Sequence, residues 1–189
     1  TKLTTPESLE LHGMLKLLLD NKISYGILEV SSHSLAQHRV DHVDFDVAIF
    51  TNLTHEHLDY HGSLAGYLRA KNMLFESLCY SVPKAGIRKL AVLNRDDEYS
   101  YPYIRERLEV DFVDYGLEMP ANYQGENIRV GGAGNCFDVI TETESFQIDT
   151  ALPGEYNVSN CLASIAVARS GMDIRIESIQ SGISTMPSI

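Results

Sequence analysis

Apolar positions recur along the chain at two spacings, and these spacings predict its helices and strands. Residues 6–20 carry apolar side chains every three or four positions, which is typical of an amphipathic helix with Thr5 as its cap and Pro6 at its first position. Its predicted apolar face consists of Leu11, Met14, Leu15, Leu18 and Leu19. Four short runs are apolar on both faces, as buried parallel strands are. They lie at 25–32, 45–51, 90–94 and 112–115.

Predicted helices alternate with these strands. One begins after Ser63 and ends near residue 78, and the others cover 97–108, 157–170 and 175–184. Such alternation predicts an α/β fold, an open and mostly parallel sheet flanked by helices. Residues 119–150 differ, because clustered glycines and short alternating runs there predict a small antiparallel β appendage on the main sheet.

Charge, apolar runs and cysteine spacing argue against several classes of protein. Lys and Arg number 15 against 26 Asp and Glu, giving a formal charge of −11, whereas nucleic-acid binding needs a basic face. No run of about 18 apolar residues and no secretory leader is present in the sequence, and the three cysteines show no CxxC spacing. These features predict a cytoplasmic protein that binds neither nucleic acid nor membrane.

Charged residues interrupt two of the predicted strand ends. Glu29 lies within the apolar run ILEVSS, where an isolated carboxylate is costly unless it is paired or binds a metal. Alternatively, it is solvated at the end of the strand. After the next strand, residues 55–61 contain three histidines (His55, His57, His61) with Glu56 and Asp59. Such a cluster is typical of metal or phosphate chemistry, although a polar surface loop has the same composition.

Lys71 interrupts an apolar stripe on the helix after Ser63. Leu64, Leu68, Phe75 and Leu78 share one helical face, and Lys71 falls in its middle. A lysine here either extends its ammonium into water or is buried, in which case it readily loses its charge and becomes nucleophilic. The spacing alone supports both interpretations equally.

Asparagines mark two further polar positions. Asn94 ends the third predicted strand, and Asn157 and Asn160 share a face near the start of a predicted helix. Each residue alone is an ordinary cap or turn signal. Together with Glu29 and the histidines, they are consistent with one crevice at the carboxyl ends of the strands.

Five segments carry a resemblance to a known family. They are TTP (4–6), EVSSHSLAQHRV (29–40), FTNLTHEHLDYHGSLAGYLRAK (50–71), NRDD (94–97) and LPGEYNVSN (152–160). With these segments the sequence resembles the central domain of the Mur ligases, and most closely the UDP-N-acetylmuramoyl-tripeptide synthetases (MurE type). The long central segment is highly specific, whereas NxDD and GxxNxxN are shared more widely in the family.

The resemblance implies a fold and a reaction. It implies a phosphate-loop-type ATPase domain that uses ATP to phosphorylate a carboxylate of UDP-N-acetylmuramoyl-L-alanyl-D-glutamate. A diamino acid then attacks the acyl phosphate, adding the third residue of the peptidoglycan peptide. Matched positions imply that Glu29 and His57 bind Mg²⁺ together with Lys71, which the family carboxylates with CO2 to a carbamate.

The resemblance also implies binding roles. Substrate-binding positions of the family match Thr4, Thr5, Ser31, Gln37 and Arg39, and positions near the adenine nucleotide match Asn94, Asn157 and Asn160. The sequence departs from the family at Leu3, at His55-Glu56 and at Tyr156. Of these, Leu3 replaces an asparagine that contacts the substrate in some relatives.

Parts of the family's pattern are missing from these 189 residues. No G-x-x-G-K-[ST] phosphate loop occurs in the sequence. Residues 1–189 therefore match a central domain that is incomplete at its N-terminus, without the N-terminal UDP-binding domain or the C-terminal amino-acid-binding domain. We predict that this fragment alone is inactive.

Three alternatives stay open at this stage. The first is a non-catalytic ligase-like module that binds a nucleotide sugar. A second is a metallo-hydrolase using HEHLDYH, in which Tyr60 disturbs the spacing of that class. The third is another member of the wider ligase family, such as a folylpolyglutamate synthetase, against which EVSSH and DYHG count.

Overall fold

Six strands form one sheet in the order β1-β2-β3-β4-β5-β6 in the computed structural model, which describes residues 4–54 and 57–187. Strands β1 to β4 are parallel to their neighbours, and β4, β5 and β6 pair antiparallel. The strands are β1 Val47–Phe50, β2 Leu90–Asn94, β3 Asp111–Gly116, β4 Tyr123–Gly131, β5 Gly134–Ile140 and β6 Ser145–Thr150. The helices are α1 Ser8–Asp20, α2 Ser32–Ala36, α3 Leu58–His61, α4 Leu64–Tyr80, α5 Ser100–Arg105, α6 Glu155–Ala166 and α7 Ile176–Ser184, with a π-helical turn Val167–Gly171 after α6.

Strand β2, at the centre of the parallel part of the sheet, is buried on both faces. In β2, Leu90 and Val92 belong to a core shared with α6 and α7, whereas Ala91 and Leu93 belong to a second core shared with α4 and α5. This alternation follows from the pleat, because successive side chains of a strand point to opposite faces. The predicted open α/β sheet flanked by helices is confirmed.

The antiparallel appendage is also confirmed, and it continues the main sheet. Strand β4 pairs parallel with β3 through Tyr115–Tyr123 and Gly116–Gln124, and antiparallel with β5 on its other side. Helix α6 packs across β3, β4 and β5. The appendage is therefore joined to the parallel part by both hydrogen bonds and a shared helix.

Three local predictions were wrong. Residues 25–31 belong to no strand in the described part of the chain, so the strand predicted at 25–32 is not formed; Ile27 is 97% exposed and α2 begins at Ser32. Helix α1 begins at Ser8 with Glu7 at its N-cap, because the Thr5 hydroxyl instead donates to the Glu29 carbonyl at 2.8 Å. Met14 and Leu19, placed on its apolar face by spacing, are exposed.

The predicted and observed ends of a helix agree better where a side-chain hydrogen bond fixes the end. Ser63 caps α4 as predicted, with its Oγ accepting from the Gly66 amide at 3.0 Å. Helix α5 is shorter than the predicted 97–108. In the described part of the chain, no helix combines the length and apolarity needed to cross a bilayer.

Candidate functional site

The carboxyl ends of β1 and β2 are held together by side chains of the NRDD segment. Asn94 Nδ2 donates to the Thr51 carbonyl at 2.6 Å. Asp97 accepts from the Leu53 amide at 2.8 Å and from the Ser100 amide at 2.9 Å. The loop after β1 is therefore fixed against the end of β2, which is the edge where open α/β sheets bind ligands. Asn94 supports that loop here, and its role toward a nucleotide stays a prediction.

Lys71 lies near this edge, on α4. Its Nζ is 5.1 Å from the ring centroid of Tyr67 and 6.0 Å from that of Phe50. Burial lowers the pKa of Lys71, because desolvation penalises the ammonium form, and the carboxylates of Asp97 and then Glu29 partly oppose this effect. Of the two interpretations that the spacing allows, this environment favours the buried lysine, whose amine is partly dehydrated and more nucleophilic.

Replacing Asp97 by asparagine is expected to lower the pKa of Lys71 further, because the largest opposing charge is removed. At a fixed pH below that pKa, the neutral amine fraction rises and acetic anhydride labels Lys71 faster, as measured by mass spectrometry. The matched control is Asp96→Asn, since Asp96 accepts from the Leu117, Glu118 and Met119 amides. Both variants lose about 1–3 kcal/mol of stability. Equal labelling rates in the two variants would contradict the electrostatic role of Asp97.

Aromatic and imidazole rings surround the next part of the site. The His57 ring centroid is 4.9 Å from that of His33 and 5.8 Å from that of Tyr67. His61 stacks on Tyr67 at 5.1 Å, and Tyr60 packs against His33 at 4.2 Å. His57 and Lys71 therefore both lie beside the Tyr67 ring.

The loop carrying His57 has an uncommon backbone. His57 has a φ of 59°, a left-handed conformation that costs a non-glycine residue about 1–3 kcal/mol. Its carbonyl accepts from the amides of Tyr60 and His61 at 3.2 and 3.1 Å, which stabilises the turn. Burial lowers the pKa of His61, and the neighbouring His33 and His57 lower it further. His55, Glu56 and Leu3 lie outside the described residues.

A hydrogen-bonded network joins the positions predicted to bind substrate. Thr5 Oγ1 donates to the Glu29 carbonyl and accepts from the Ser31 amide at 3.0 Å. Arg39 donates to the Thr5 carbonyl at 3.2 Å and also to the Gln37 side chain. Four predicted residues (Thr5, Ser31, Gln37, Arg39) thus lie together beside the backbone of Glu29.

A side-chain hydrogen bond connects this network to the imidazole cluster. Gln37 Nε2 donates to the Tyr60 hydroxyl at 3.2 Å, and Tyr60 packs on His33. The Glu29 side chain is exposed, and its charge acts on Lys71. Thr4 is exposed beside the network.

The start of α6 forms a separate polar region. Asn157 Nδ2 donates to the Pro153 carbonyl at 2.7 Å, and Asn160 Nδ2 donates to Asn157 Oδ1 at 3.4 Å. The two asparagines therefore share a helix face, as their spacing predicts. Both have polar atoms near the amino end of α6, where unpaired backbone N–H groups favour anions.

No three His, Cys, Asp or Glu side chains lie close enough to hold a metal ion within residues 4–54 and 57–187. Of the residues predicted to bind Mg²⁺, only Glu29 and His57 are of these types, and the prediction depends on Lys71 as the third ligand. The arrangement supplies a partly dehydrated amine, an exposed carboxylate and an imidazole near one sheet edge. The sequence did not predict that His33, Tyr60 and Tyr67 lie in this site. Tyr67 precedes Lys71 by one helical turn, so its position beside Lys71 could have been predicted from that spacing.

Comparisons with known proteins agree with this picture. The family model described as Mur ligase middle domain matches residues 1–168. "UDP-N-acetylmuramyl-tripeptide synthetase 2" of Oceanobacillus iheyensis is 43% identical over 163 residues, which are 86% of this chain and 32% of that protein. The "UDP-N-acetylmuramoyl-L-alanyl-D-glutamate--2,6-diaminopimelate ligase" of Clostridium botulinum is 38% identical over 187 residues, covering 98% of this chain and 36% of that protein.

A comparison with solved structures also finds a ligase of this kind. The structure of a UDP-N-acetylmuramoyl-L-alanyl-D-glutamate--2,6-diaminopimelate ligase superimposes with a TM-score of 0.84 at 26% identity, covering 98% of this chain and 37% of that chain. The chain thus spans about a third of the length of the relatives that it matches.

Proposed function

This chain belongs to the Mur ligase family, and we propose that it is the central, ATP-binding part of a ligase that adds a diamino acid to UDP-N-acetylmuramoyl-L-alanyl-D-glutamate. In the reaction, a substrate carboxylate oxygen takes the γ-phosphoryl group of ATP and releases ADP. The amine of the diamino acid then attacks the acyl phosphate, an amide bond forms, and inorganic phosphate leaves with loss of a proton. A cytoplasmic location, where ATP and UDP sugars are available, belongs to the proposal.

The observation that carries the proposal is the environment of Lys71. Its Nζ lies beside the Tyr67 ring, its pKa is lowered by burial, and the charges of Asp97 and Glu29 act on it. A neutral amine is the form that captures CO2, and the resulting carbamate adds anionic oxygens of the kind that Mg²⁺ prefers. A lysine kept only for packing needs no carboxylates on two different loops.

Glu29, His57 and the Lys71 carbamate would hold Mg²⁺. Their fit rests on two contacts: His57 and Lys71 border the same Tyr67 ring, and the Glu29 carboxylate is exposed where its charge reaches Lys71. The bound ion would neutralise negative charge on the phosphoryl group as it is transferred.

The remaining residues bind and orient. The guanidinium of Arg39 is of a kind that binds a carboxylate or phosphate, and a muramoyl dipeptide would take the place of the Glu7 carboxylate, which lies 3.3 Å from its Nη2. Its contacts to Thr5 and Gln37 restrict its rotamers. Thr4 and Ser31 offer hydroxyl groups, and Thr5, which is 1% exposed, holds the Ser31 amide with its own hydroxyl. For the nucleotide, Asn157 and Asn160 offer amides at the start of α6, and Asn94 holds the loop beneath.

The test uses the complete polypeptide encoded by the reading frame that contains this chain. Incubation with ATP, Mg²⁺, UDP-N-acetylmuramoyl-L-alanyl-D-glutamate and either meso-diaminopimelate or lysine is expected to yield one UDP-muramoyl tripeptide and stoichiometric ADP by chromatography. Omission of the dipeptide is the control and should abolish ADP release. Tight nucleotide-sugar binding without product would instead support the non-catalytic module, and magnesium-independent ester hydrolysis would support the metallo-hydrolase.

A further inference from the structure

Asn135 connects the antiparallel appendage to the start of α6. It lies at the beginning of β5, where it pairs with Val130 of β4 and Thr150 of β6, and the residue is 4% exposed. Its Nδ2 donates to the carbonyls of Leu152 and Gly154, both at 2.8 Å. One buried amide group therefore joins a strand of the appendage to two carbonyls of the loop that leads into α6.

Those carbonyls belong to the segment that positions the asparagines of α6. Gly154 is the N-cap of α6 and has a φ of 87°, and its carbonyl also accepts from the Asn157 amide at 3.0 Å. The carbonyl between them, that of Pro153, accepts from the Asn157 side chain. The loop 152–154 is thus held by Asn135 on one side and by Asn157 on the other.

The side-chain oxygen of Asn135 argues against a purely structural role for this residue. Its Oδ1 is buried and has no hydrogen-bond partner among the described residues. A buried amide oxygen without a partner destabilises the fold, so valine or leucine would suit a strand position at this depth better if stability alone mattered. The benefit of asparagine here lies in what its Nδ2 holds.

We propose that Asn135 is a positioning residue for the nucleotide site, acting through the loop 152–154 on Asn157 and Asn160. This inference rests on the proposed function, and it gives the appendage β4–β6 a role in ATP binding. Asn135 acts from β5 through two carbonyls, so its removal changes the placement of the α6 amino end. The dipeptide-binding network around Thr5 and Arg39 shares none of these contacts.

The test compares Asn135→Asp with Val139→Ala in the complete polypeptide. A carboxylate cannot donate to the two carbonyls, whereas Val139 is a fully buried core residue of the same strand that touches neither. We expect Asn135→Asp to raise the KM for ATP about tenfold, with kcat and the KM for the UDP-muramoyl dipeptide within about twofold of the wild type. Val139→Ala should lower Tm with the KM for ATP unchanged.

A milder variant keeps the test decisive if Asn135→Asp folds poorly. Asn135→Thr suits a strand and retains one hydroxyl donor, so it should give an intermediate KM for ATP. Amide hydrogen exchange of residues 155–160 should be faster in both Asn135 variants than in Val139→Ala. Unchanged KM for ATP and equal exchange rates would overturn the proposal. A wild-type enzyme without ligase activity would contradict the proposed function instead, and the exchange rates would still decide whether Asn135 positions α6.

Discussion

Replacing Lys71 by arginine is expected to reduce ligation by the complete polypeptide by about a thousandfold, the size of effect seen when a group that stabilises transition-state charge is lost. Arginine keeps the positive charge and a long side chain, but its guanidinium stays protonated and captures no CO2. The variant therefore separates carbamate formation from simple charge. Ligation is measured as tripeptide formed per enzyme, and the carbamate by ¹³C NMR after addition of labelled bicarbonate.

The matched control for Lys71 is Lys84→Arg. Lys84 donates to Asp46 at 2.7 Å and to the Asp44 carbonyl at 2.9 Å, near the amino end of β1, so arginine can replace it without touching the site. This variant should retain wild-type ligation and the labelled carbamate signal. If Lys71→Arg ligates at the wild-type rate, or if the signal persists in it, Lys71 does not have the proposed role.

A strand such as β2 was predictable because its apolar composition matches its position between two layers of helices. Residues 90–94 are apolar at every position but the last, and β2 covers the same residues with both faces packed against helices. The Ser63 cap was equally predictable, since its hydrogen bond is local. Local sequence is sufficient to predict an element where the stabilising contact is local, as for the Ser63 cap, or where helices cover both faces of a strand, as for β2.

The segment at 25–32 shows the limit of this reasoning. Its composition matches a buried strand, yet Tyr25 and Ile27 are exposed and residues 25–30 pair with no strand in the described part of the chain. A strand needs a hydrogen-bonding neighbour, and composition does not say which segment supplies one. The same reason explains why Thr5 hydrogen-bonds the Glu29 carbonyl and does not cap α1.

The candidate site was predictable in its residue types and much less so in its contacts. Motif positions indicated Glu29, His57 and Lys71, but Tyr67, which borders both His57 and Lys71, carries no chemical signal of its own. Asn135 is separated by 17 residues from the loop carbonyl of Leu152 that it binds. Side chains of this kind act through long-range contacts, which depend on strand register and are fixed only by the fold.

The 189 residues expressed alone are expected to turn over ATP at less than about one thousandth of the rate of the complete polypeptide. A phosphate loop supplies a lysine and several backbone N–H donors to the phosphates of ATP, and no G-x-x-G-K-[ST] run occurs in this sequence. The formal charge of −11 adds repulsion toward ATP and the UDP sugar. The proposed nucleotide site contains the amides of Asn157 and Asn160, and amides alone do not neutralise a triphosphate.

The measurement is ADP release with saturating ATP, Mg²⁺, dipeptide and diamino acid, with the complete polypeptide assayed in parallel. Circular dichroism and hydrogen exchange of the β2 and β3 amides must show that the shorter chain is folded, because exposed apolar residues such as Leu9 and Ile27 favour its aggregation. Folded chain without turnover is the expected result and assigns ATP activation to groups beyond the sheet edge described here. Steady ATP-dependent ligation by these residues alone would mean that their own donors suffice to bind and activate the triphosphate, and the inactivity predicted for them would be wrong.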